Sequence, residues 1–94
     1  MNFFMETAFS WAERNDVPVS AGRDEAGKWF VRMELRDSRG WFPVVCFSRE
    51  RDRKKQTEDQ FAQEVEKLLG KTCQKAREER MKAYTKTEVF GKAA

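Results

Sequence analysis

A chain of 94 residues has room for one hydrophobic core and none for a second. Its 19 basic and 16 acidic side chains make it 37% charged with a net charge of only +3, a composition that predicts high solubility and at least one long solvated helix. There is no histidine and there are two widely spaced cysteines, which excludes a disulfide scaffold and the usual zinc ligand sets.

The apolar material for the core is largely aromatic, with eight Phe, three Trp and one Tyr. Large rings bury the most area per residue, so a short chain can still form a core from them. The charge is unevenly spread. Residues 1–48 carry six basic and seven acidic side chains, residues 49–70 six of each, and residues 71–94 seven and three. A basic end can attract nucleic acid or an acidic protein face, and it also suits a helix C-terminus, where cations complement the dipole.

Phe4, Ala8, Trp11 and Ala12 recur at helical spacing with Glu6, Glu13 and Arg14 opposite, predicting an amphipathic N-terminal helix over about residues 3–14. Asn15-Asp16 end it. Pro18 disfavours helix at Val17, so Val17-Pro18-Val19 is extended. Ser20 to Lys28, with Gly22 and Gly27 among charges, reads as a turn or loop.

Trp29, Val31, Met33 and Leu35 then alternate with Phe30, Arg32, Glu34 and Arg36. Asp37-Ser38-Arg39-Gly40 is a turn, and Trp41 to Phe47 resumes as a strand. Pairing Arg36 with Trp41 places Leu35 opposite Phe42, Met33 opposite Val44 and Val31 opposite Cys46. That makes one face of the hairpin apolar and the other a mixture of Phe30, Arg32, Glu34, Arg36, Trp41, Pro43, Val45 and Phe47. A solvated face is normally plain polar. This one is either covered by the N-terminal helix through Phe4 and Trp11 or used to bind a partner. Pro43 lacks an amide donor and marks an edge strand or a bulge.

The charge run Arg49 to Lys55 leads to Thr57-Glu58-Asp59-Gln60, a capping box. Phe61, Val65, Leu68 and Leu69 follow as an apolar stripe that covers the hairpin. Gly70 either stops this helix or is tolerated at about 1 kcal/mol, so the C-terminal part is one long charged helix or two, over 57–69 and 71–84. Cys73, Ala76, Ala83 and Tyr84 form a thin stripe among charges, and 71–94 projects, docks on a partner or lies loosely on the domain. The fold class is α+β: one domain over 1–94, with an N-terminal helix and an antiparallel sheet of two to three strands centred on the hairpin over 29–48.

Helix, short strand, hairpin, basic loop and helix is an order that resembles that of double-stranded RNA-binding domains. Glu13 to Val19 resembles their helix-to-first-strand junction, and Arg53-Lys54-Lys55 their basic helix start. The chain departs from them in a shorter first strand, no histidine-bearing loop between the first two strands and no alanine-rich helix face. The resemblance is one of topology and carries no function with it.

Catalysis is not expected. The usual neutral-pH base is missing, the glycines stand singly with no phosphate loop, and no two acids are spaced to share a pocket. No cofactor or metal is implied. Cys46 and Cys73 read as free thiols in a reducing compartment. The start, from Met1 to Glu6, lacks a signal-peptide pattern and no apolar run is long enough for a membrane span, so the expected location is the cytoplasm.

Two surfaces remain as candidates. In the first, Trp41 and Phe47 stack on bases while Arg32, Arg36, Arg53, Lys54 and Lys55 contact phosphates, making a small nucleic-acid-binding protein. In the second, a partner helix carrying Lys75, Arg77, Arg80, Lys82 and Tyr84 docks on another protein or forms a homodimer through 71–90. That reading describes an inhibitor or adaptor masking a host nucleic-acid-handling protein, of the anti-restriction or anti-CRISPR type encoded by phages and mobile elements.

Overall fold

The computed structural model describes residues 2–93, with side chains as far as Ala83. In chain order the elements are α1 (Phe3–Arg14), β1 (Val19–Arg23), β2 (Trp29–Asp37), β3 (Gly40–Phe47) and α2 (Glu58–Ala93). The three strands form one antiparallel sheet in the order β1-β2-β3, so the fold is α+β.

Local chemistry explains where each element starts and stops. Asn2 caps α1, its side-chain oxygen accepting from the Met5 amide at 2.8 Å. The helix ends at Asn15, with Asp16 left-handed at φ 53°. There the Val17 amide bonds back to the Ala12 carbonyl at 2.8 Å and the Asp16 amide to Glu13 at 3.3 Å, a Schellman ending that satisfies the last carbonyls. The expected capping box opens α2. The Gln60 amide donates to Thr57 Oγ1 at 3.2 Å, and the Thr57 amide donates to Gln60 Oε1 at 2.9 Å, so two otherwise orphaned donors are satisfied reciprocally.

The hairpin has the expected register: Arg36 opposite Trp41, Leu35 opposite Phe42, Met33 opposite Val44 and Val31 opposite Cys46. Its inner face, Val31, Met33, Leu35, Phe42, Val44 and Cys46, is buried throughout. β3 is an edge strand and runs through Pro43, opposite Glu34, without a bulge. The phase of the ladder explains why. Ser48 donates to the Trp29 carbonyl at 2.9 Å, so every second pair from there is hydrogen-bonded, and Glu34–Pro43 falls in between. The proline nitrogen therefore points away from β2 and removes no bond.

One expectation needs correction, and two alternatives left open by the sequence are decided. The first strand extends through Arg23, and the loop shrinks to Asp24–Lys28. Gly22 marks a close approach and not a turn, because the Phe30 ring stands over it, and a Cβ there would meet Phe30 Cζ at 2.5 Å. The turn glycine is Gly27, left-handed at φ 82°. It follows a tight turn in which its amide donates to the Asp24 carbonyl at 2.9 Å, an arrangement common in three-residue hairpin loops.

Gly70 does not stop the helix: α2 is continuous from Glu58 to Ala93. Phe61, Val65, Leu69 and Cys73 recur every fourth residue and are all buried, so the apolar stripe carries the helix across Gly70. Burying side chains of this size stabilises by about 1.5–3 kcal/mol each, more than the propensity cost of one glycine. The segment after Gly70 also packs, through Cys73 and the partly buried Ala76, at least as far as Arg80.

The second open alternative concerns α1, which does not cover the mixed face of the hairpin. Phe4, Met5 and Ala8 join the same core as Val31, Met33, Phe61 and Leu69, and the rings of Phe3 and Phe61 lie 5.9 Å apart. Arg14 and Glu66 pair across the two helices. Both helices share one face of the sheet, α1 against β1 and β2 and α2 against β3.

Candidate binding surface

With both helices on the inner face, the outer face of the sheet is left without a covering element among the described residues. Period-two alternation puts Phe30, Arg32, Glu34 and Arg36 of β2 there, with Trp41, Pro43, Val45 and Phe47 of β3. The register makes four cross-strand rows: Phe30 with Phe47, Arg32 with Val45, Glu34 with Pro43, and Arg36 with Trp41. These rows are the ones between hydrogen-bonded pairs, where facing side chains approach most closely.

The two ends of the face are built alike. At the turn end, the Arg36 guanidinium sits 5.7 Å from the Trp41 ring. At the other end, Phe30 and Phe47 meet edge to face at 5.8 Å, and Lys28 Nζ lies 5.2 Å from the Phe47 ring. Arg32 and Glu34 pair along the strand at 2.8 Å between them. Trp41 is 56% exposed, Val45 45% and Phe47 41%. Isolated exposed apolar residues are ordinary on a soluble protein, whereas a contiguous row of them beside cations is the kind of surface that marks an interaction site.

Of the residues singled out from the sequence, Arg32, Arg36, Trp41 and Phe47 therefore share one open face. Arg53, Lys54 and Lys55 do not belong to it. They occupy a turn just before α2, held by Asp52, whose side chain accepts from the Lys54 amide at 3.0 Å and whose carbonyl accepts from the Gln56 amide at 2.9 Å. That turn feeds a helix packed on the inner face, so the basic triplet reaches the outer face only around the end of the sheet.

The residues assigned to a partner helix are divided as well. Lys75 and Lys82 are exposed. Arg77 donates to the Arg36 carbonyl at 2.9 Å, and Arg80 bonds Asp37 at 2.5 Å while its guanidinium lies 4.4 Å from the Phe42 ring. These two arginines fasten α2 to the hairpin turn, and the pairing holds the Asp37 carboxyl below the ordinary aspartate range. Tyr84 lies outside the described side chains.

A second feature went unread in the sequence. Where α1 and α2 begin, a cleft of about 850 Å³ opens between them, the end of the β1–β2 loop and the segment after β3. Lys28, Arg49, Arg51 and Arg53 line it, with Glu50 and Glu58 as its acids. Trp29 lies on its wall at 38% exposure, with the Arg23 guanidinium 4.2 Å from its ring. Arg49 and Arg51 stand in a charge run whose alternating signs read as an ordinary loop, and nothing local pointed to Lys28.

Among the described residues, no three His, Cys, Asp or Glu side chains are placed to hold a metal ion. Cys46 and Cys73 are buried in the core, Cys73 Sγ lying 3.9 Å from Met33 Sδ, and burial pushes both thiols above their ordinary pKa. That is the opposite of what activates a nucleophile. None of the described helices is long and apolar enough to cross a membrane. No family model, no curated protein and no solved structure matches this chain.

Proposed function

We propose that the chain is a non-catalytic binding module whose outer sheet face takes single-stranded nucleic acid. The observation that carries this reading is the uncovered row of rings and cations, Trp41 and Arg36 at one end and Phe47, Phe30 and Lys28 at the other. Aromatic side chains on an open sheet offer planes on which bases stack, with cations beside them for phosphates. A single strand can present its bases flat to such a surface; a duplex keeps them inside its stack. Pro43 supports use of the face over use of the edge, since it denies an incoming strand a backbone donor in the middle of β3.

The rival reading, an inhibitor or adaptor that docks on a protein, has one observation in its favour. Pro43 and Val45 lie exposed between the two aromatic ends and offer apolar contact with no stacking use. Anisotropy titrations of a labelled oligothymidylate separate the two. The nucleic-acid reading expects binding that weakens steeply with added salt. It also expects Trp41→Ala to lower affinity by about 1–3 kcal/mol without lowering the melting temperature. Absence of binding at low salt would leave the protein-docking reading in its place.

A further inference from the structure

We infer that the cleft at the helix N-termini is a phosphate site for the same strand, receiving the backbone of nucleotides that run past Phe47 off the outer face. This inference rests on the nucleic-acid reading and extends its footprint. The two surfaces are continuous. Lys28 lines the cleft and also sits over the Phe47 ring on the outer face. Ser48, the residue after Phe47, lies in the cleft wall and accepts a hydrogen bond from the Asn2 side chain at 3.1 Å. A strand stacked on Phe47 therefore meets the cleft as its next surface.

The cleft has the composition that a phosphodiester chain requires. Four cations face two carboxylates there. Arg51 is already anchored, donating to the Gln56 carbonyl at 2.8 Å, which fixes its guanidinium at the wall. Arg49 and Arg53 are exposed and enter no ion pair among the described residues, so their charge is available to a ligand. The amino ends of α1 and α2 both open towards the cleft, adding the positive ends of two helix dipoles. Trp29 gives the cleft wall one more ring on which a base can rest. Between Trp41 and Phe47 the outer face measures about 20 Å at roughly 3.4 Å per residue, so a short oligomer fills it and only a longer one reaches the cleft.

The test compares oligothymidylates of roughly 4 and roughly 12 nucleotides, lengths that span the site sizes of known single-strand-binding folds. Both are titrated against the wild type, the double variant Arg49→Gln/Arg53→Gln and Lys28→Gln, with melting temperatures as the folding control. The double variant should bind the long oligomer several-fold more weakly, with a log–log salt slope shallower by about 1.4, the loss of two phosphate contacts at about 0.7 each. It should bind the short one as the wild type does. Lys28→Gln should weaken the long oligomer in the same way. Thymidine monophosphate added as competitor should leave the long complex intact. Equal binding of the long oligomer by wild type and double variant would overturn the inference while the outer-face reading stood. Displacement by the mononucleotide would also overturn it, as the mark of a nucleotide pocket. If the wild type bound neither length, the inference and the proposed function would fall together.

Discussion

Replacing Gly22 by alanine sets two opposing terms against each other, and the structure predicts their balance. The new Cβ would stand 2.5 Å from Phe30 Cζ and 2.9 Å from Cε2, where an unstrained carbon contact lies at about 3.5–4.0 Å. The ring must swing aside, losing its seat on β1 and its edge-to-face contact with Phe47. Forced repacking of this kind costs about 1–3 kcal/mol. Against it, Gly22 is not among the residues of positive φ, so alanine fits the backbone and stabilises by about 0.4–1 kcal/mol through the unfolded chain. The net expectation is a loss of about 1 kcal/mol, near 4–8 °C in melting temperature for a domain of this size. In a Phe30→Ala background the obstacle is gone, and the same Gly22→Ala change should stabilise by about 0.4–1 kcal/mol. Urea titrations of the four proteins, followed by tryptophan fluorescence, measure both values and their coupling. A substitution with the same sign in both backgrounds would refute the seating of Phe30 on Gly22, and with it the geometry of that end of the outer face.

Two further predictions concern α2. Nothing lies within 4 Å of a Cβ placed on Gly70, so Gly70→Ala should stabilise the protein by about 1 kcal/mol in thermal unfolding; destabilisation would mean that the helix does not run through this position. The Asp37–Arg80 pair should give a pH signature. The Arg80 hydrogen bond lowers the Asp37 pKa against some desolvation, and the Arg39 amide adds to the lowering. A carboxyl depressed in the folded state stabilises above its unfolded pKa of about 3.9, and that contribution is lost as pH falls through the folded value. The difference in melting temperature between wild type and Asp37→Asn should hold from neutrality to about pH 4 and narrow below it. A difference that stayed constant into strong acid would show that the pair does not fasten α2 to the hairpin.

The sequence by itself determined the hairpin register and where α1 ends and α2 begins. Asn15-Asp16 and the Thr57–Gln60 box act on amides within one turn of themselves, so the end of α1 and the start of α2 were readable at those residues. Strict alternation from Trp29 to Phe47 about a short turn allows one register that buries a single face, and a slip of one residue would put Arg32 and Arg36 in the core. The composition of the outer face followed directly.

Only the tertiary structure decided that neither helix covers that face. Phe4 and Trp11 are as apolar as any cover for it requires, and no local rule says which side of a sheet a helix takes. Packing settled it, because α1 buries Phe4, Met5 and Ala8 together with Phe61 and Leu69 of α2 in one core. Gly22 was unreadable for the same reason: a glycine in a polar stretch looks like a turn until the ring that stands over it, eight positions later in the chain, is known. Arg77 and Arg80, which in the sequence are cations on a solvated helix, are spoken for by the hairpin turn. The cleft is assembled from Lys28, Arg49, Arg51 and Arg53, residues brought together by the sheet and by the two helix starts. Periodicity and capping act over a few residues, whereas a shared core and a cleft between elements depend on contacts across the whole chain.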